Sequence, residues 1–232
     1  MTNQFEYDII VIEREVREMT KEQWKEFFMQ NKDYIEDNRD YLGAILRKAR
    51  EYAHDEKNID CGNGASKSVL IDLKDNIVFK WARPCSNSDE NFDESYAEYE
   101  IYQDAVKKGL DCFFPKTEVL IEFEGFAIVM QERVKFAYCD IPYEELKKLE
   151  ARHSTVKEKV IKKAKNSFFE IHRAPRETWL RVALSYYGKR KMKQLCQFTK
   201  EHQINDLHQG NIGFSLSLAP VILDFSGYHR GW

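Results

Sequence analysis

Cys61-Gly62-Asn63-Gly64-Ala65-Ser66-Lys67-Ser68-Val69 leads into the apolar run Val69-Leu70-Ile71, and Ile77-Val78-Phe79-Lys80 returns behind it. The first stretch fits G-x-G-x-x-G-x-V, except that Lys67 stands in place of the third glycine. Glycines let a backbone approach phosphate closely, and the free N–H groups of such a turn bind anions. Asp75-Asn76 predicts a hairpin turn, so the region reads as two antiparallel strands. A lysine that ends an apolar strand is ordinarily a solvated edge residue. One hairpin beyond a glycine loop, however, Lys80 is where a cation would meet the α- and β-phosphates of a nucleotide. Gly62, Asn63, Gly64, Ala65 and Ser66 are then the candidate phosphate cradle.

A buried cation needs an acid. The stretch from Asn91 to Lys108 predicts a helix, with Asp93 and Glu94 in its first turn and Gly109 past its end. Glu98, Tyr102 and Ala105 share one face of it. Glu98 lies eighteen residues beyond Lys80 and is the expected partner, with Glu94 and Glu100 as alternatives. The plain reading of any of the three is a solvated helix charge.

Toward the C-terminus, Asn205-Asp206-Leu207-His208-Gln209-Gly210-Asn211 spaces an Asp and an Asn as D-x-x-x-x-N, and Ile222-Leu223-Asp224-Phe225-Ser226-Gly227 sets an Asp between an apolar run and Phe-x-Gly. Phosphoryl transfer uses such a set. One carboxylate, Asp206, would take the proton of the attacking hydroxyl. Asn211 and Asp224 would hold Mg²⁺. Either stretch alone is also ordinary turn chemistry.

Taken together, these motifs resemble the protein-kinase superfamily from about Cys61 to Tyr228. The glycine loop, strand lysine, helix glutamate, catalytic loop and metal aspartate occur in the family's order. The resemblance implies an α+β, truncated bilobal kinase-like fold with a small antiparallel-sheet lobe and a reduced helical C-lobe. It divides the chain into a helix-rich extension (1–56), the small lobe and hinge (57–134) and the reduced lobe (135–232). Gly125-Phe126-Ala127-Ile128-Val129-Met130 would lead to a hinge at Gln131 to Val134. There the Glu132 carbonyl and the Val134 N–H would bind the adenine of ATP, with Val69 flanking it.

The departures from the family pattern narrow the reading. Ile204 and Asn205 replace the usual His and Arg, which argues against control by a phosphorylated loop. Asp-Leu-His-x-Gly-Asn is similar to the loop of aminoglycoside phosphotransferases, where His208 would contact the γ-phosphate or cap the loop. The chain stops five residues after Gly227, leaving no room for an activation segment or for peptide-docking helices. In that respect it resembles the minimal early Ser/Thr protein kinases of lytic bacteriophages. That likeness implies phosphorylation of host proteins in the host cytoplasm. The alternatives are a small-molecule hydroxyl kinase and a non-catalytic kinase-like binder of a host protein. A homodimer is expected if apolar surface is bare where further helices would pack.

Composition agrees. The 232 residues are 43% hydrophobic and 13% aromatic, as in a globular chain. The net charge of −3 gives no electrostatic case for nucleic-acid or membrane binding. Five scattered cysteines without C-x-x-C predict reduced thiols in a cytoplasmic setting. No signal peptide or long apolar span is expected. The basic run Lys157 to Lys165 reads as an amphipathic helix with a solvated face, or as a docking face for phosphoproteins. Asp8 to Glu13 predicts a strand, Thr20 to Tyr52 helices with Trp24, Phe27 and Phe28 on one packing stripe and Tyr41, Leu42, Ile45 and Leu46 on another, and Tyr143 to Gln203 helices broken at Pro175 and Gly188.

Overall fold

The computed structural model describes residues 19–63, 67–83, 93–136, 140–169 and 175–226. The expected strand at Asp8 to Glu13 lies outside them. Three helices come first: α1 (Lys21–Gln30), α2 (Lys32–Asp37) and α3 (Leu42–Ala53). Thr20 and Gln23 form a capping box that starts α1. Strands β1 (Ile59–Asn63), β2 (Lys67–Asp72) and β3 (Ile77–Ala82) follow, then α4 (Glu94–Lys107), β4 (Thr117–Phe123) and β5 (Phe126–Glu132). The five strands form one antiparallel sheet in the order β1-β2-β3-β5-β4. The β2–β3 turn closes at Asn76, whose positive φ of 55° suits asparagine, and the β4–β5 turn closes at Gly125 with φ of 83°.

Alternation along the strands divides the sheet's chemistry between its faces. Leu70, Phe79 and Trp81 are buried against Trp24, Phe27, Phe28 and Ile45 of the helical extension in one core. Trp24 stacks 4.9 Å from Phe79, and its indole N–H donates to Asp72 at 3.0 Å. The extension therefore shares its core with the sheet. Tyr41, expected on the second packing stripe, is instead 69% exposed, because it lies just before α3 rather than within it. The opposite face of the sheet carries Val69, Lys80 and Gln131 and receives α4.

The C-terminal half comprises β6 (Lys135–Phe136), α5 (Tyr143–Arg152), α6 (Glu158–Phe169), α7 (Glu177–Glu201), β7 (Ile212–Phe214) and β8 (Pro220–Ile222). Pro175 precedes α7, and Gly188 breaks it with φ of 78°. The last three strands form a second antiparallel sheet in the order β6-β7-β8. A second core joins Ile101 and Ala105 of α4 to Trp179, Leu180 and Leu195 of α7, and to Ile212 of β7 and Leu207 and Phe225 of the loops around it. The described chain is thus α+β, with a five-strand antiparallel sheet and seven helices. No helix among the described residues is long and apolar enough to cross a membrane. Cys61, Cys112 and Cys196 are free thiols, while Cys85 and Cys139 lie outside the described residues.

Three short strands escape the periodicity that marks the others. Strand β1 is an edge strand of Ile-Asp-Cys-Gly-Asn, too polar to stand out, and β6 and β7 are only two and three residues long. Gly213 in β7 has a definite reason: a Cβ there would sit 2.4 Å from the Lys135 carbonyl oxygen of β6.

Candidate functional site

Where β2, β3, α4 and the segment after β8 converge, four charged side chains share one cluster. Lys80 of β3 donates to Glu98 of α4 at 3.2 Å and to the Leu223 carbonyl at 2.8 Å. The expected ion pair is therefore present, and among the three acids considered Glu98 is the one that the structure buries against it. Asp93 caps α4 by accepting from Ser95 and Tyr96, one position earlier than the expected first turn.

The cluster holds a member that the motif reading treated only as a departure. Lys67, at the third-glycine position, points its ammonium into the same site. It donates to Glu98 Oε1 at 2.7 Å, to Asp224 Oδ1 at 2.6 Å and to Ser226 Oγ at 3.0 Å. It is 4% exposed, so the ammonium gives up water for three oxygens. Burial works against its charge, but the Glu98 and Asp224 carboxylates outweigh burial and hold Lys67 firmly protonated. The signal was in the register. Val69 pairs with Lys80 across the hairpin, so Lys67, two residues earlier, lies diagonal to Lys80 on the same face.

Glu98 is fully buried and also accepts from the Gln131 amide at 2.8 Å. Gln131 was expected to open the hinge. Instead it belongs to β5, 3% exposed, and β5 runs on to Glu132. Val134 lies in the two-residue step between β5 and β6, and the Glu132 N–H is taken by the Lys116 carbonyl at 3.1 Å.

Asp224 remains 44% exposed although one of its oxygens is held by Lys67. Burial pushes its carboxyl up, but the Lys67 and Lys80 ammoniums pull it down to about 2. The Asp206–Asn211 loop is tied to the same place. The Asn211 side-chain N–H donates to the Asp206 carbonyl at 2.9 Å, and the Leu223 N–H donates to the Asn211 carbonyl at 2.8 Å. Ile204 and Leu207, buried in the C-terminal core, anchor the loop from below. His208 caps it: its Nδ1 accepts from the Gly210 N–H at 2.8 Å, and its Nε2 lies 3.5 Å from the Asp206 carboxylate.

Of the glycine stretch, Gly62 and Asn63 form the end of strand β1 opposite Val69 and Ser68, rather than open loop. Gly64, Ala65 and Ser66 lie outside the described residues. Val69 is half-buried on the face that bears Lys67 and Lys80.

The donor set can be judged as a metal site. No group of three or more His, Cys, Asp or Glu side chains that could hold a metal occurs among the described residues. One carboxylate and one amide suit Mg²⁺ only when phosphate oxygens and water supply the rest, which is how that ion is held in phosphoryl-transfer sites. A metal held by Asp224 and Asn211 would therefore have to draw most of its ligands from outside the described residues. No protein-family model matches the chain, and no curated protein matches it significantly.

Proposed function

We propose that the chain is an ATP-dependent protein kinase that transfers the γ-phosphate to Ser and Thr hydroxyls of other proteins. The observation that carries this reading is the meeting of Lys80, Glu98 and the Leu223–Asp224 backbone at hydrogen-bond distance, beside a loop that presents Asp206 and Asn211. An antiparallel sheet with the α-helix α4 between β3 and β4, followed by a helical half, is compatible with a small bilobal kinase-like fold.

Bound Mg²⁺·ATP would supply the transferable phosphoryl group and the cationic charge that screens it. Lys80, fixed by Glu98, would hold the α- and β-phosphates. Asn211 gives its N–H to the Asp206 carbonyl, which leaves its amide oxygen as the coordinating atom. Asp206 would orient the acceptor hydroxyl and take its proton. Positioning and charge stabilisation carry most of such a reaction, so single changes at these groups cost orders of magnitude.

A second reading, a non-catalytic kinase-like binder of a host protein, is favoured by the Lys67–Asp224 contact, since an ammonium already neutralises the carboxylate that a metal would need. Incubation of the purified chain with γ-labelled ATP and a bacterial lysate separates the readings. Label in Ser and Thr of proteins supports the kinase, and label in small metabolites points to a small-molecule hydroxyl kinase. No transfer at all supports the binder. Asp206→Asn and Asp224→Asn should each lower transfer roughly a thousandfold with the far-ultraviolet circular dichroism unchanged. Full activity in Asp224→Asn would sink the mechanism.

A further inference from the structure

Residues 157–200 hold thirteen lysines and arginines against three acids, in a chain whose net charge is −3. The fold gathers much of this charge along one feature. An open cavity of about 980 Å³ runs between α6 and α7, which pack against each other. Its rim is formed by Lys159 and Lys163 of α6 facing Lys189, Arg190, Lys193 and Lys200 of α7. The i, i+4 spacings of Lys159 with Lys163, and of Lys189 with Lys193, set the charges in two facing rows. Its floor is apolar, made by Val160, Ala164, Leu184 and Met192. No acidic side chain of the described residues lines it. Glu158 is engaged by Arg181, Glu177 by Lys165 at 2.9 Å, and Glu170 lies outside the described residues.

We infer that this groove is a docking site for an acidic amphipathic helix of a partner protein, whose apolar side chains seat on the Val160–Met192 floor while its carboxylates meet the two lysine rows. Charge complementarity selects the sign of the partner, since Lys159, Lys163, Lys189, Arg190 and Lys193, with no acid lining the groove among the described residues, repel one another until an anionic surface covers them. The floor selects its class. Val160 and Ala164, half-buried where Leu184 and Met192 are buried, offer an aliphatic surface to leucine-type anchors at i, i+4 and i+7, the helix-in-groove mode. A nucleic-acid strand would want exposed aromatic faces for its bases, yet Phe168, the aromatic side chain lining the groove, is 1% exposed and unavailable for stacking. Where the kinase reading also holds, and only on that reading, the groove names the substrate class: proteins that carry such an acidic segment apart from the phosphorylated residue.

Fluorescence anisotropy on the full chain tests the groove without any measurement of phosphate transfer. The probe is a fluorescein-labelled helical peptide with leucines at i, i+4 and i+7 and glutamates elsewhere. Its comparators are the same peptide with lysine for glutamate, and a single-stranded DNA oligonucleotide of matched charge. The expected result is saturable binding of the glutamate peptide that weakens as salt rises, with no binding of the lysine peptide. Lys163→Glu/Lys193→Glu, two exposed positions, should weaken it at least about tenfold while the melting temperature holds. Absence of glutamate-peptide binding overturns the inference, as does binding that ignores the double reversal or an oligonucleotide that binds more tightly than the peptide. Loss of phosphate transfer with peptide binding intact would count against the kinase reading alone.

Discussion

Lysine is used in two opposite ways in this molecule. Lys67 and Lys80 are buried or nearly so, and each is fixed by oxygens within 3.2 Å. The lysines along the α6–α7 groove stand exposed, with no acid lining the groove among the described residues. A buried ammonium is tolerable only where carboxylates and hydroxyls replace its water, so its position is determined and its removal is felt throughout the fold. An exposed row keeps its water and its rotamer freedom, and acts through summed charge. The first use suits a site that must place a charge to within a fraction of an ångström. The second suits a surface that attracts a partner.

The severest way to break the contrast is to remove the acid at the centre of the buried set. Glu98→Ala leaves two ammoniums facing each other without their shared carboxylate. It should cost about 3–5 kcal/mol in urea-unfolding free energy, the range for a buried pair deprived of one partner. A loss below about 1 kcal/mol would show that water enters the cluster freely.

A smaller effect separates the two buried lysines. Lys67→Met still leaves Glu98 with Lys80 and Gln131, so about 1–3 kcal/mol of stability should go, the range for losing hydrogen bonds to charged groups. Lys80→Met should cost less stability, because Lys80 retains more solvent contact (13% against 5% for the side chains). Nucleotide affinity should show the reverse order, with Lys80→Met the weaker binder by calorimetry. Equal losses on both measurements would make the two lysines interchangeable.

Which parts of this were legible in the sequence follows from physics. The Lys80–Glu98 pair could be read only as the first of three candidates, since helix spacing puts Glu98 on one face with Tyr102 and Ala105, and it is the packing of α4 on the sheet that selects it over Glu94 and Glu100. Asp224 and the Asp206–Asn211 loop were legible as short motifs, and their meeting through Leu223 N–H and the Asn211 carbonyl is what the β7–β8 pairing enforces. Lys67 was not legible as a site residue, because the glycine pattern assigned its position to a loop. Its place appears only once Val69 is known to pair with Lys80. Gln131 was misplaced for a related reason: an apolar run does not say where its strand ends, and Gln131 is strand because Val78 pairs with it. The groove was half legible. The basic run of α6 was visible, but only tertiary packing sets it against Lys189 to Lys193.

Acid sharpens the contrast further. The Asp224 carboxyl is held at about 2, below its usual value, so its contribution to stability is complete above about pH 4 and is lost as pH falls from there toward 2. Across neutral pH it stays ionised. The unfolding free energy of the native chain should therefore drop more steeply between pH 4 and pH 2 than that of Asp224→Asn, measured by chemical denaturation at fixed ionic strength. Parallel slopes would mean that Lys67 and Lys80 do not hold the carboxylate in solution.

The smallest effect is expected at the groove, and its smallness is the point. Lys189→Ala and Lys193→Ala remove exposed charges that no acid lining the groove among the described residues offsets, so neither should move the melting temperature by more than about 2 °C. Relief of repulsion between the facing rows acts to raise it. Melting in rising salt tests this directly. If the rows repel, salt should stabilise the native chain more than the alanine variants, because screening relieves the same repulsion that the substitutions remove. A clear loss of stability in either variant would instead mean that these lysines are structural. The two uses of lysine would then be one, and the groove would lose its claim to be a surface held open for a partner.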